Sequence, residues 1–307
     1  MAQGVILAID GGATRTRCLA VDRAGTVRGR GEAGPANHVL VDAAVVRRSL
    51  MEAIDRALTA AALPRSAVRC VAAGLAGVDY DGAGAEAARG LFEDLDDAVF
   101  AIAGDMVIAH LAAFDGAPGV LALAGTGSAI LGIGPDGKRV KAGGWGPLFG
   151  NEGSAYRIGR DALVAAARAY DGAGPPTSLV SAIAAHLELR DFRDTVEWAY
   201  GSVMDSSRVA SLAPVVAVSA EANDRVARGI LETAGQQLAE GVAAVVGRLQ
   251  LAPPLISYQG PVLGTCAVAR DAFVRRLAEV LPDARVVAPK YPPVMGACVL
   301  GRRALDW

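Results

Sequence analysis

Short apolar runs of strand length alternate along this chain with longer segments whose apolar residues recur every three or four positions. Residues 5–9 form a continuous apolar run that ends in Asp-Gly-Gly, which is typical of a buried strand entering a tight turn. Residues 42–62 carry apolar side chains at helical spacing, which predicts an amphipathic helix. Further strands are predicted at 17–21, 27–30, 68–73, 98–103, 120–124, 129–133, 139–142, 255–258 and 286–287, and further helices at 83–93, 223–249, 266–281 and 295–305. This alternation predicts an α/β fold.

One order of elements occurs twice, over residues 5–30 and again over residues 120–142: an apolar strand, a Gly/Thr loop, a strand, an Asp-and-Gly turn and a third strand. This repetition and the length of 307 residues predict two related domains. We expect a first domain over 1–112, completed by a C-terminal helix at 293–307, and a second domain over 113–292 with a helical insertion. A cleft between two α/β domains is where ligand sites concentrate.

Glycine is abundant and unevenly distributed. Thirteen of the 37 glycines lie between Gly116 and Gly159, and residues 35–73 contain none. Because a glycine backbone can approach a ligand without interference from a Cβ atom, this clustering indicates binding loops.

Charge and hydropathy argue against nucleic-acid and membrane partners. The 30 Lys and Arg residues nearly balance the 32 Asp and Glu residues. The uncharged stretches at 116–135 and 249–269 are long enough to span a bilayer, but glycines and prolines interrupt both. No secretory signal is visible at the N-terminus, so we expect a cytoplasmic protein. The four cysteines are widely separated and show no metal-binding spacing.

The first Gly/Thr loop, residues 10–16 (Asp-Gly-Gly-Ala-Thr-Arg-Thr), connects two predicted strands. Its backbone N–H groups and hydroxyls suit a phosphate, and Asp10 at the strand end suits Mg²⁺. The alternative is an ordinary hairpin turn, in which Asp and Gly are also favoured. The loop has neither the Walker A pattern nor the Gly-x-Gly-x-x-Gly pattern of dinucleotide-binding folds.

A second Gly/Thr loop, residues 124–128 (Ala-Gly-Thr-Gly-Ser), stands at the same point of the second copy, so the two loops are expected to hold a polyphosphate from both sides. Together with these loops, six further stretches resemble the BadF/BadG/BcrA/BcrD-type ATPase family, and within it the N-acetylglucosamine kinase branch of the actin/hexokinase/Hsp70 superfamily. The eight stretches are residues 10–16, 34–38, 74–77, 104–105, 124–128, 143–146, 150–154 and 293–297. The resemblance covers nearly the whole chain. It implies two actin-like, ribonuclease H-like domains and the ATP-dependent phosphorylation of an amino sugar, N-acetylglucosamine before others.

The resemblance implies that Asp105 is the general base. A carboxylate at this position would orient the sugar hydroxyl toward the γ-phosphate and accept its proton. The alternative reading of Asp105 from the residues alone is an N-cap of a helix at 106–114.

The resemblance also implies which residues contact the sugar. Asn37 carries an amide that can both donate and accept, with a turn residue after Pro35 as the alternative. Gly144 and Trp145 are similar to the sugar-contacting turn of the family, with Trp145 packed beneath the loop as the alternative. The implied substrate-binding residues are Asn37, His38, Gly77, Asp105, Thr126, Gly144, Trp145, Asn151 and Glu152.

The implied cofactors are ATP and Mg²⁺, and the implied assembly is a homodimer. Asp10 would hold the metal ion, and Gly260 would approach the adenosine. The implied nucleotide-binding residues are Asp10, Gly11, Gly12, Ala13, Thr14, Arg15, Thr126, Gly127 and Gly260.

The chain departs from the family pattern at three of these positions. Asn151 stands where the family commonly has an aspartate that contacts the sugar, which puts the identity of the sugar in question. Arg15 stands where a lysine is common, and the two cations differ in geometry. Gly260-Pro261 replaces a commoner Gly-Gly, so nucleotide preference is less certain than phosphate binding.

Alternative functions remain open at this point. The substrate could be glucosamine or another hexosamine. The protein could also be an activator-type ATPase, although the cysteines lack the spacing of an iron–sulfur site. A non-catalytic sugar-binding regulator is a further alternative.

Overall fold

The computed structural model describes residues 4–37, 39, 41–92, 95, 97–201 and 205–307. The strands in this part of the chain are β1 (Val5–Gly11), β2 (Thr16–Asp22), β3 (Val27–Ala33), β4 (Val68–Leu75), β5 (Val99–Gly104), β6 (Gly119–Ala124), β7 (Ser128–Ile133), β8 (Arg139–Gly143), β9 (Leu255–Gln259) and β10 (Arg285–Val286). The α-helices are α1 (Ala43–Ala61), α2 (Ala85–Arg89), α3 (Asp105–Phe114), α4 (Ala155–Tyr170), α5 (Leu179–His186), α6 (Thr195–Tyr200), α7 (Ser206–Ala210), α8 (Ala213–Glu221), α9 (Arg225–Leu249), α10 (Pro261–Thr265), α11 (Ala267–Val280) and α12 (Pro293–Ala304). Each predicted strand overlaps an observed strand.

Several predicted helices have different bounds in the structure, and two of these differences have clear causes. The helix expected at 83–93 is only the five-residue α2, because Gly84 precedes it in a left-handed conformation and Gly90 ends it. Helix α12 begins at Pro293, which agrees with the C-terminal helix expected at 293–307 and lies two residues before the pattern at 295–305. Proline is favoured in the first turn of a helix, where no intrahelical partner for its missing N–H is needed.

The first sheet has the strand order β3-β2-β1-β4-β5. Strand β1 is antiparallel to β2 and parallel to β4, and β5 continues parallel to β4. Alternate side chains of β1 enter two different cores, because successive residues of a strand point to opposite faces. Leu7 packs with residues of α1, whereas Ile6 packs with Ile108 of α3 and Ala297 of α12.

The second sheet has the order β8-β7-β6-β9-β10, with β9 parallel to both β6 and β10. In both sheets the first strand in sequence is central, the next two extend to one side, and the last two extend to the other. Ile158 of α4, Leu238 of α9 and Phe273 of α11 belong to the core that accompanies the second sheet. The α/β fold class with a duplicated unit is therefore confirmed.

The chain forms two compact units. Unit 1 comprises residues 1–119, 133–139 and 288–307, and unit 2 comprises residues 120–132 and 140–287. Helix α12 thus packs with the N-terminal part of the chain, through Val294, Ala297 and Cys298.

In the part of the chain that the structure describes, every helix is too short or too polar to cross a membrane.

Candidate functional site

Two carboxylates lie at the same edge of the first sheet. Strands β1, β4 and β5 are parallel neighbours, so their carboxyl ends meet at one edge. Asp10 is in register with Gly74, and Gly74 is in register with Ala103, two residues before Asp105. Gly74 offers no side chain between them, and a Cβ there would come within 2.3 Å of Ile108 in α3. The sheet therefore places Asp10 and Asp105 near each other.

Charges around Asp10 act on it in opposite directions. Burial raises the pKa of the Asp10 carboxyl, and the neighbouring Asp105 raises it further, whereas Arg17 and Arg15 lower it. Arg17 is directly opposite Asp10 in the β1–β2 register. Sequence reasoning missed Arg17 as a neighbour of Asp10. The signal was available, because residues 10 and 17 are equally far from the middle of the hairpin loop and so face each other across the hairpin. A cation at Asp10 would favour its ionised form.

Asp105 is the first residue of α3, and Gly104 occupies the cap position without a side-chain cap. The Oδ1 atom of Asp105 accepts a hydrogen bond from the N–H of Met106 at 2.8 Å. The positive end of a helix stabilises a carboxylate in its first turn. The N-cap alternative is therefore wrong, because Gly104 is the cap residue and Asp105 is already helical. The Asp105 side chain is half-buried beside Asp10.

The first Gly/Thr loop is a tight turn with an accessible tip. Gly12 N–H donates to the Arg15 carbonyl at 3.0 Å, and Thr14 and Arg15 are exposed. Gly11 is buried, and a Cβ at this position would come within 2.7 Å of Leu75. Glycine is therefore required below the tip, and the hydroxyl and the cation at the tip suit an anion such as phosphate.

Two neighbouring segments are bonded to this loop. Ala36 N–H donates to Gly12 O, and Ala76 N–H donates to Gly11 O, each at 2.9 Å. Asn37 follows the first of these residues, and its Oδ1 accepts from Val39 N–H at 3.0 Å, which is the predicted turn role. Gly77 follows the second, exposed and with a φ of 103°. His38 lies outside the described residues.

The second Gly/Thr loop is bonded to the start of α4. Ala155 N–H donates to Gly125 O at 2.9 Å, and Tyr156 N–H donates to Thr126 O at 3.1 Å. Thr126 remains exposed, while Gly127 is half-buried. The loop therefore exposes Thr126 while backbone hydrogen bonds hold it to the start of α4.

Asn151 supports this loop from below. It is only 7% exposed and adopts a left-handed φ of 63°, which asparagine tolerates better than most residues. Its Oδ1 lies 3.4 Å from Ser128 N and 3.1 Å from the position that a Cβ of Gly127 would take. The hydroxyl of Ser128 donates to the backbone oxygen of Glu152 at 2.7 Å. A sugar contact of Asn151 and Glu152 stays a prediction.

The Gly144-Trp145 turn is an exposed part of unit 2. Trp145 is 69% exposed, so the alternative in which it packs beneath the loop is wrong. The N–H of Gly144 already donates to Ser128 O at 3.0 Å. The indole of Trp145 is therefore accessible to a ligand, whereas the Gly144 N–H fixes the turn to β7.

Gly260 joins β9 to α10 beside the end of β6. Its φ is 103°, and a Cβ there would come within 2.4 Å of the Ala124 carbonyl oxygen. A cavity of about 460 Å³ opens next to this connection within unit 2. Its wall includes Thr126 of the second loop and residues from α4, α7, α8, α9 and α10. Sequence reasoning found Gly260 but not the helical wall, because an apolar stripe on a helix looks the same whether it faces a core or a cavity.

Known proteins resemble the chain over nearly its full length. The model of the BadF/BadG/BcrA/BcrD ATPase family matches residues 7–301. An N-acetyl-D-glucosamine kinase from Dictyostelium discoideum is 28% identical, with 98% of each chain covered. An N-acetylmuramic acid/N-acetylglucosamine kinase from Clostridium acetobutylicum is 30% identical over 67% of this chain and 68% of that relative. The crystal structure of a candidate N-acetylglucosamine kinase from Chromobacterium violaceum is 25% identical, has a TM-score of 0.80, and covers 98% of this chain and 99% of its own.

The family match and the repeated sheet lead to the same assignment, which confirms the resemblance of the eight sequence stretches. The chain belongs to the BadF/BadG/BcrA/BcrD ATPase family.

Proposed function

We propose that this protein transfers the γ-phosphoryl group of ATP to a hydroxyl group of an amino sugar. The preferred substrate in this proposal is N-acetylglucosamine, and glucosamine or another hexosamine is the alternative. The observation that carries the proposal is the pair Asp10 and Asp105 at the carboxyl edge of the parallel strands of unit 1, beside an exposed Gly/Thr loop. The full-length similarity to an N-acetyl-D-glucosamine kinase supports the choice of sugar.

Asp105 acts as the general base in this proposal. Its carboxylate accepts the proton of the attacking sugar hydroxyl while the oxygen–phosphorus bond forms and the bond to ADP breaks. Little else is required of the protein in phosphoryl transfer beyond positioning and charge stabilisation. Arg15 and Thr14 at the exposed loop tip contact phosphate oxygens, and Asn37 and the Trp145 indole contact the sugar.

The residues around Asp10 fit a magnesium ion. Within the described ranges, no group of three or more His, Cys, Asp or Glu side chains could hold a metal ion by itself. Mg²⁺ commonly uses one or two carboxylates and completes its coordination with water and substrate phosphates, so Asp10 alone suffices. Burial raises the pKa of Asp10, and a bound cation would lower it again. When bound, the ion would neutralise charge on the transferring phosphates.

Unit 2 supplies the remaining nucleotide contacts in this proposal. The second Gly/Thr loop, through Thr126 and Gly127, binds phosphates, and the cavity beside Gly260 takes the nucleoside. A homodimer is a further expectation, and it rests on the family resemblance.

The test is an assay of ADP release over a panel of hexoses and hexosamines with ATP and Mg²⁺. Asp105→Asn should lower kcat on the best sugar by about 10² to 10⁴ because the base is lost. The matched control is Asp115→Asn at the other end of α3, where Asp115 is in the left-handed conformation that asparagine also adopts. Near-normal turnover by Asp105→Asn, or no ADP release with any sugar, would contradict the proposal. Sugar binding without turnover would support the regulator alternative instead.

A further inference from the structure

The cavity of unit 2 is connected to the second Gly/Thr loop through Thr126, which lies both in the loop and on the cavity wall. A nucleotide with its phosphates on this loop would therefore place its ribose and base in the cavity. The volume of about 460 Å³ is within the usual range of small-molecule sites.

The cavity wall has almost no group that can identify a base. Among the described residues that line it, none has a charged or an amide side chain. Most are Ala, Val, Leu, Ile or Pro. The polar lining residues are Thr126, Ser207, Ser211, Thr265 and Cys266.

Three of the hydroxyls on the wall already donate a hydrogen bond to another group of the protein. Ser207 Oγ donates to Asp205 at 2.7 Å, Ser211 Oγ donates to the Arg208 carbonyl at 2.7 Å, and Thr265 Oγ1 donates to the Pro261 carbonyl at 2.8 Å. A hydroxyl has one proton, so these groups face the cavity only as acceptors. Adenine offers N–H groups at its 6-amino position, and guanine offers them at N1 and its 2-amino position. Both bases therefore carry N–H groups that such acceptors can bind.

Backbone donors are also reduced on this wall. Pro214 in the first turn of α8 and Pro261 at the start of α10 line the cavity, and proline has no N–H. The first turns of helices are normally rich in unpaired N–H groups. Two positions that could have donated to a base therefore cannot do so.

We infer, resting on the nucleotide role proposed above for unit 2, that this cavity selects a purine by its apolar surface and accepts guanine as well as adenine, so that GTP also serves as phosphoryl donor. A site built to hydrogen-bond one ligand rejects an analogue by about 10⁴ to 10⁵, whereas an apolar pocket reaches only about 10². Pyrimidine nucleotides should bind more weakly than both purines, because they bury less apolar surface.

The experiment measures binding of ADP, GDP and CDP to the full-length protein with Mg²⁺, by calorimetry and without sugar. The Kd values for ADP and GDP should differ by less than about a hundredfold, the limit for an apolar pocket, and CDP should bind more weakly than both. A larger preference for either purine, or tighter binding of CDP, would overturn the inference.

A pair of variants locates the base in the cavity. Ala217→Phe fills the cavity from α8, and it should weaken ADP and GDP binding by a similar factor of about ten or more. Ala167→Phe adds the same side chain on the exposed face of α4, outside the cavity wall, and should leave both affinities unchanged. Unchanged binding by a folded Ala217→Phe would place the base elsewhere and overturn the inference.

A milder variant serves if Ala217→Phe does not fold. Thr265→Val removes a wall hydroxyl at nearly constant volume and should change the ADP and GDP affinities by the same factor. A change in their ratio would show that Thr265 reads the base, which the inference excludes.

The outcome is separate from that of the sugar assay. The protein could phosphorylate a sugar with ATP but bind GDP more than about a hundredfold more weakly than ADP. That result would support the proposed function and overturn this inference. If the protein binds both diphosphates alike but none of the sugars tested leads to ADP release, the inference stands and the proposed kinase activity is contradicted.

Discussion

The two Gly/Thr loops follow the central strands of two sheets with the same strand order, but different chemistry surrounds them. The first loop lies beside charged groups: Asp10, Asp105, Arg15 and Arg17. The second loop is held by neutral groups, among them the Asn151 amide, the Ser128 hydroxyl and backbone of α4. A duplicated scaffold can thus place charged side chains around the loop of one copy and neutral groups around the loop of the other.

The outermost parallel strand of each sheet explains this difference. In unit 1, β5 has six residues and leads directly into α3, so its end carries Asp105 at a helix N-terminus. In unit 2, β10 has two residues and no α-helix begins directly after it among the described residues. Only the first copy therefore supplies a carboxylate from this strand.

Replacing the charge at the first loop should have the largest effect. Asp10→Asn should lower kcat on the best sugar by about 10² or more, because it removes the group that fits Mg²⁺. The same change should leave the melting temperature equal or raise it. Burial raises the pKa of Asp10, so the ionised carboxylate destabilises the fold above its ordinary pKa, and asparagine removes that cost.

The measurements for Asp10→Asn are the ADP-release assay and thermal unfolding at neutral pH. Asp136→Asn is the control, because Asp136 is an exposed turn residue whose carboxylate accepts from Lys138 N–H. If Asp10→Asn turned over at a near-normal rate, the charged loop would not be the reacting one.

The next prediction concerns His110, a titratable side chain of α3 that is fully buried. Its Nε2 lies 2.8 Å from the Gly119 carbonyl, which can only accept, so Nε2 carries the proton. Its Nδ1 has no hydrogen-bond partner among the described residues. Burial lowers the pKa of His110 from 6.5 to about 4, against the opposing effect of the Gly119 hydrogen bond.

The unfolded chain therefore binds a proton at His110 between pH 6.5 and about 4, whereas the folded protein does not. The free energy of unfolding should fall as the pH drops through this range, by about 3 kcal/mol in total at 1.36 kcal/mol per pKa unit. His110→Gln can keep the bond to Gly119 but does not titrate. Urea unfolding of both proteins should be measured at pH 7, 5.5 and 4.5. The free energy of unfolding of the variant should rise relative to that of the wild type as the pH falls. A constant difference between them would contradict the assignment.

Two glycines in unit 2 test whether the backbone at Gly260 packs closely against Ala124. Gly260→Ala should lower the free energy of unfolding by about 2 kcal/mol, because its φ is 103° and a Cβ would meet Ala124 O at 2.4 Å. Gly264→Ala is the matched control in α10, where a Cβ meets nothing within 4 Å. Alanine in a helix should stabilise there by about 0.5 to 1 kcal/mol. Urea unfolding should thus show a lower free energy of unfolding for Gly260→Ala and a higher one for Gly264→Ala. Changes of the same sign would contradict the close approach of Gly260 to Ala124.

Sequence reasoning located the strands and loops because their signals are local. A continuous apolar run followed by Asp-Gly-Gly identifies β1 and its loop without any knowledge of the rest of the chain. The short α2 is a failure of the same kind of reasoning, since the apolar periodicity at 83–93 outweighed two flanking glycines that limit the helix to 85–89.

Long-range contacts were less predictable. The effect of Arg17 on Asp10 depends on the register of a hairpin, and the burial of Asn151 depends on which loop packs above it. Asp105 was assigned through the family resemblance, whereas its closeness to Asp10 follows from strand order, which the sequence does not state.

Asn151 provides the last and smallest test of the comparison, because one atom of this side chain decides whether the second loop stays neutral. Asn151→Asp keeps the shape and the Oδ1 acceptor but adds a buried negative charge beside Gly127 and Ser128. If Asn151 supports a phosphate-binding loop, this charge should repel the phosphates and raise the KM for ATP by about tenfold, or about 1.4 kcal/mol, with the KM for sugar unchanged. If Asn151 instead contacts the sugar, the KM for sugar should change and that for ATP should not. Glu188→Asp is the control for a conservative acidic change, because Glu188 also has a left-handed φ but does not line the cavity of unit 2. Steady-state kinetics with each substrate varied in turn would distinguish the two roles.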